Sequence, residues 1–131
     1  MLSHIYIGIN DFPRAHAFYA PLAELLGLVP KFHDPDRGWA GWKMPTAERP
    51  LFVVGRPFDG KRAAPGNGHM IALLAESREV VDRFHAVALA QGGTCEGAPG
   101  PRPQYHADYY GAYVRDPEGN KLAIACHKPA A

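Results

Sequence analysis

Serine is almost missing from this chain: of 131 residues, only Ser3 and Ser77 are serines. Ser77 stands where a helix should begin, so serine hydrolysis has no good nucleophile. Cysteine is as scarce, with Cys95 and Cys126 alone. Two cysteines do not frame a secreted disulfide scaffold. No apolar run approaches the ~20 residues a membrane span needs. The start, MLSHIYIGIND, lacks the basic and apolar regions of a signal peptide. The expected location is therefore the cytoplasm. An excess of one charge is also lacking. Fourteen Lys and Arg face thirteen Asp and Glu, for a net charge of +1. Bulk electrostatics thus favour neither nucleic acid nor a membrane surface. There is no H-E-x-x-H, no Walker loop and no G-x-G-x-x-G.

What is present suits one domain over 1–131. A hydrophobic fraction of 47% builds a core without disulfides. The 13 Pro and 14 Gly imply many short elements joined by tight turns. Residues 4–9 alternate strictly, with Ile5, Ile7 and Ile9 on one face and His4, Tyr6 and Gly8 on the other. That period predicts a half-buried strand. Asp11 is placed to cap a helix, with Pro13 in its first turn. Ala15, Phe18, Tyr19, Leu22, Leu25 and Leu26 follow at helical spacing, and Gly27 stops the run. Three β segments follow at 28–33, 39–44 and 50–55.

The stretch 57–66 is polar and rich in breakers, and reads as a linker. The scheme then restarts. His69, Ile71 and Leu73 alternate with Met70, Ala72 and Leu74, Ser77 caps, and a helical run ends at Gly92. A short strand near 93–96 precedes a loop at 97–108. Strands at 109–115 and 121–127 flank the turn Asp116-Pro117-Glu118-Gly119-Asn120. His4 and His69 are 65 residues apart, as are Gly27 and Gly92, which indicates duplication. The fold class is α+β. Module one spans about 1–56 and module two about 67–128. Each is a βαβββ unit, and their curved mixed sheets form a shared open cup with helices on the outer faces. The ladder without a histidine should pack on each helix. His4 and Tyr6, and His69 and Ile71, then face the cup.

The opening strand and Asp11 helix, the Gly66-Asn-Gly-His69 stretch and the Asp-Pro-Glu-Gly-Asn turn at 116–120 together resemble the vicinal oxygen chelate superfamily. It includes glyoxalase I, extradiol dioxygenases, and fosfomycin and bleomycin resistance proteins. The loop from Gly100 to Tyr110 is similar to one in a glyoxalase-like subgroup without an assigned reaction. The resemblance covers essentially the whole chain. It implies a ligand-binding cup lined by His4, Tyr6, His69 and Ala123, with Tyr105, His106 and His127 at its rim or lid. In metal-dependent members, ligands come from the first and fourth strands of each module. His4 and His69 match first-strand positions. The last fourth-strand position falls on Ala123, and the other falls within 49–58, which holds no Asp, Glu, His or Cys.

A catalytic metal of this kind wants at least three protein ligands, and glyoxalase chemistry also wants a glutamate base. The resemblance therefore implies a small-molecule-binding protein of unassigned reaction with a degenerate metal site and no resident cofactor. One alternative is a lyase or dioxygenase that holds a weak Ni, Zn, Fe or Mn on His4 and His69 with a non-standard third ligand. Another is an antibiotic-sequestering protein, which the slightly positive charge disfavours for a cationic drug. The family also implies a homodimer. On the last strand Cys126 faces the helix, opposite His127, so the two form no dyad. Trp39 and Trp42 fall on opposite faces. His16, His33 and His85 belong on helix surfaces or strand ends.

Overall fold

Residues 1–131 are all described by the computed structural model, in which the sequence alternation resolves into eight strands and two helices. Module one comprises β1 (His4–Gly8), α1 (Phe12–Leu25), β2 (Val29–Asp34), β3 (Trp39–Lys43) and β4 (Leu51–Gly55). Module two comprises β5 (Ile71–Leu74), α2 (Arg78–Ala90), β6 (Thr94–Pro101), β7 (Tyr110–Arg115) and β8 (Lys121–Cys126). The sheets have matching orders, β1-β4-β3-β2 and β5-β8-β7-β6. In each, the first strand runs parallel to the fourth and the other pairings are antiparallel. Two βαβββ units with open mixed sheets are thus present, as expected. No helix is long and apolar enough to cross a membrane.

The helices begin as the sequence predicts. The Asp11 side chain accepts from the Arg14 amide and that of Ser77 from the Val80 amide. Each cap satisfies an amide of the open first turn. The stripe Phe12, Ala15, Phe18, Tyr19, Leu22 and Ala23 buries one face of α1, and Val81, Phe84 and Ala88 do so on α2. One apolar cluster joins both modules and includes Cys126, which is 1% exposed.

The duplication holds, but its register differs from the one read in the sequence. The Ile9 amide donates to Gly55 and the Ala75 amide to Ala125. Ile9 and Ala75 are 66 apart, as are the caps Asp11 and Ser77. The helix ends differ: Gly27 and Gly92, both at positive φ, are 65 apart. The cause is length, because α1 has 14 residues and α2 has 13. The partner of His4 is therefore Met70, not His69. A one-residue slip moves a whole strand's side chains to the other face. Ile71 and Leu73 accordingly pack against the core, while Met70, Ala72 and Leu74 are exposed. This reverses the expected facing of β5. His69 lies before the strand, in a turn whose amide donates to the Gly66 carbonyl.

One further boundary differs. β6 runs on to Pro101, with register shifts between Cys95 and Gly97 and between Gly97 and Gly100. Glycine and proline in this stretch suggested a loop. At a sheet edge the missing amides and bulges are tolerated, so the strand persists. The loop is reduced to 102–109.

A clasp joins the modules. Asp116, 3% exposed, accepts from the Tyr19 hydroxyl (2.6 Å), the amides of Glu118 and Asn120, and the Asn120 side chain. The Glu118 carboxylate accepts from the amides of Asn10 and Asp11 and from the Asn10 side chain. The linker is tied as well. The Asn10 amide group donates to Ala63 O, and Asn10 Oδ1 accepts from the Ala63 amide.

Candidate functional site

Strand alternation leaves a face on each sheet turned away from its helix. On the first sheet one row runs Tyr6, Val53, Gly41 and Phe32. On the second the matching row runs Ala72, Ala123, Tyr113 and Gly97. Val53 and Ala123 therefore occupy equivalent places, each two residues before the carbonyl that receives the Ile9 or Ala75 amide. This locates the fourth-strand position that the sequence confined only to 49–58. Gly41 leaves room for the Phe32 ring, which a Cβ there would have to displace. Trp39 joins this face, its ring tilted against Phe32 at 4.6 Å with the Arg37 guanidinium over it, while Trp42 lies in the core.

Two hollows open on these faces. One of about 510 Å³ is lined by Tyr6, Gly8, the linker residues 64–66, His69, Met70, Asn120 and Lys121. The other, of about 770 Å³, is lined by His69, Met70, Glu96, Arg102, Arg115 and Lys121 and by three tyrosines, Tyr105, Tyr109 and Tyr113. They share Gly68, His69, Met70 and Lys121 as a common wall. Both volumes fall in the range of small-molecule sites. Of the expected cup residues, Tyr6, His69 and Tyr105 line these hollows. Ala123 lies buried in the floor row, at 1% exposure. His4 shares the face of Tyr6, is exposed, and bonds the Ser3 hydroxyl at 3.0 Å.

His106 and His127 meet. His106 Nε2 and His127 Nδ1 are 2.8 Å apart, with the rings stacked and the edge of Tyr109 against both. The Asp108 amide donates to His106 Nδ1. Of the pair, His106 Nε2 therefore carries the proton that His127 Nδ1 accepts. The loop 102–109 is in this way fastened to the end of β8.

The second hollow is rich in donors. Its one acid, Glu96, is bound by Arg115, whose hydrogen bond and charge hold the carboxyl below its usual range. Burial, and then the hydrogen bond with Tyr109, raises the Tyr113 phenol above its ordinary value. It stays protonated at neutral pH. Burial likewise raises Tyr6, whose hydroxyl donates to Arg56 O. Arg102 and Lys121 were not singled out in the sequence. Alternation places Lys121 on the face of Ala123, so that signal was available for it. Nothing in the periodicity pointed to Arg102.

A family model for the Glyoxalase/Bleomycin resistance protein/Dioxygenase superfamily matches residues 1–124. The chain belongs to this superfamily. Among solved structures, a glyoxalase/bleomycin resistance protein from Albidiferax ferrireducens T118 is 35% identical, with a TM-score of 0.85 over 96% of this chain and 98% of that one. A glyoxalase-related enzyme from Fulvimarina pelagi is 22% identical, with a TM-score of 0.71 over 96% of this chain and 87% of the other. A lactoylglutathione lyase from Agrobacterium tumefaciens, 19% identical with a TM-score of 0.63 over 96% and 92%, shares the fold. No curated protein matches the chain.

Members of the glyoxalase superfamily typically bind divalent metals, so the donor set of this chain needs testing against one. At the positions corresponding by register it offers His4, Val53, Met70 and Ala123. That is one imidazole and one thioether, with no carboxylate. No three His, Cys, Asp or Glu residues gather into a metal-holding group. Hard divalent cations want oxygen or several nitrogen ligands. The residues present do not fit such an ion.

Proposed function

We propose that this superfamily member binds a small organic molecule in the cup without a resident metal. The observation that carries the reading is the replacement of the family's carboxylate positions by Val53 and Ala123, with Met70 in register with His4. Removing both carboxylates takes away a ligand and the proton-moving base together. Glu96 does not replace that base, since Arg115 engages it. The remaining groups are phenols, a guanidinium and an ammonium, which hold and orient a ligand. The imidazole of the cavity walls is His69, at the wall between the hollows. Any proton transfer in a catalytic form of this reading falls to it, and His69→Ala then abolishes turnover without abolishing binding.

Elemental analysis of protein purified without chelator tests the reading. The expected Ni, Zn, Fe and Mn content is far below one per chain. Near-stoichiometric metal that is released by His4→Ala refutes it.

A further inference from the structure

The larger hollow has a charge pattern that the binding reading leaves unused. Three cations line it, Arg102, Arg115 and Lys121, against the single acid Glu96. Arg115 and Glu96 pair with each other. Arg102 and Lys121 take part in no ion pair. Yet they approach the same ring: the Arg102 guanidinium is 5.7 Å and the Lys121 ammonium 5.6 Å from the Tyr113 centroid. Three cations against one acid leave the hollow with an excess of positive charge around the Tyr113 phenol, which favours an anionic ligand.

Each cation has donors to spare. Arg102 gives two bonds to backbone, at Ala98 O (2.7 Å) and Pro101 O (3.3 Å). A guanidinium carries five N–H groups, so three remain. The two backbone bonds also fix the plane of the fork, which suits bidentate capture of a carboxylate. The Lys121 ammonium makes no hydrogen bond; its direct neighbour across β7 is Arg115, and the Tyr113 ring lies beside it. Tyr105 and Tyr109 lie 4.9 Å apart beside them and offer flat apolar surface. Tyr113 and Tyr109 hydroxyls share one bond at 3.2 Å, which leaves one O–H free to donate.

We propose that this hollow binds an aromatic carboxylate, the carboxylate drawn by the excess positive charge of Arg102 and Lys121 and the ring laid against Tyr105, Tyr109 and Tyr113. The proposal rests on the metal-free binding reading and names its ligand class. A cationic drug is repelled from the same place, so it also separates this chain from sequestration of cationic antibiotics.

Calorimetric titration of the full chain with 2-naphthoate, 2-naphthamide and 2-naphthamidine tests it, in low-salt buffer with and without EDTA. The naphthoate is expected to bind, the amide at least tenfold more weakly, and the amidine weakest of the three. Lys121→Met should weaken naphthoate at least tenfold while leaving the amide unchanged. Lys121 makes no hydrogen bond, so that variant keeps the fold; Arg102→Lys provides a second, milder variant. Amide binding as tight as the acid, or naphthoate binding unchanged in Lys121→Met, overturns the proposal. Naphthoate binding that EDTA abolishes instead refutes the metal-free reading. The two failures are thus distinguishable.

Discussion

Replacing Tyr19 by Phe removes one hydroxyl from the clasp between the modules and tests how that clasp contributes. The hydroxyl donates to Asp116 Oδ2 at 2.6 Å, in a place where Asp116 is 3% exposed. Without it, Oδ2 keeps only the Asn120 side-chain donor, while Oδ1 keeps the amides of Glu118 and Asn120. A hydrogen bond to a charged group contributes about 1.5–3 kcal/mol. For a chain of this length, that lowers the melting temperature by about 5–10 °C. The pH dependence gives a second signature. Burial, then the charge of Asp116 and its hydrogen bond, holds the Tyr19 phenol well above its ordinary range. In the unfolded chain tyrosine ionises near pH ~10. Above that pH the native state retains a proton that the unfolded state releases. The Tyr19 contribution is therefore full below about pH 10 and declines as pH rises beyond it. Urea unfolding of both proteins from pH 7 to pH 11 should show a gap that is widest at neutral pH and narrows above pH 10. A melting shift below 1 °C at pH 7, or a gap that stays constant to pH 11, would show that the hydroxyl does not stabilise as argued.

Three further outcomes are expected. Introducing Val53→Glu, Met70→His and Ala123→Glu together should give the chain a stoichiometric divalent metal, measured by elemental analysis. His69-based variants lacking Met70→His should not gain one, and equal uptake by both would contradict the 66-residue register. His127→Ala should raise amide exchange across residues 102–109, read by hydrogen–deuterium exchange, because the loop loses its tie to β8; unchanged protection would place the tie elsewhere. Leu74 is 71% exposed on the edge strand β5, beside an apolar cleft that includes Leu2, Ile5 and Leu73. If the expected homodimer covers that edge, Leu74→Glu should halve the mass found by light scattering, and an unchanged mass would exclude β5 from the interface.

The fold was readable because alternation, capping residues and breakers agree at each element. Asp11, Ser77, Gly27 and Gly92 all do what their chemistry predicts. The register between modules was harder to read. Two histidines 65 apart matched two glycines 65 apart, and only the helix ends share that spacing. The shorter α2 absorbs one residue, which no local pattern announces. In β5 both ladders are apolar, so alternation had no polar face to orient it. The candidate site was legible in part. Alternation put Tyr6 on the face away from α1, and a long loop carries Tyr105. His69 reaches the hollows from the turn before β5 instead of from the strand face assigned to it, and the contact of His106 with His127 was not read. Arg102 and Tyr113 converge only through a bulged edge strand and cross-strand pairing. The Asp-Pro-Glu-Gly-Asn run read as a turn and as a family motif, with no sign of what its side chains hold. Its side chains reach about a hundred residues back, and such long-range bonds leave no mark in local sequence.

The tied linker has a practical consequence for cutting the chain. Upstream, Arg56 O is held by the Tyr6 hydroxyl, and downstream Ala63 is bonded twice to Asn10. Between these anchors lies the turn at 58–61, with Phe58 wholly exposed. A protease should nick the polypeptide there first. The two pieces would then stay together through the shared core, so the native protein can be opened into fragments, or carry an inserted tag, without parting its halves.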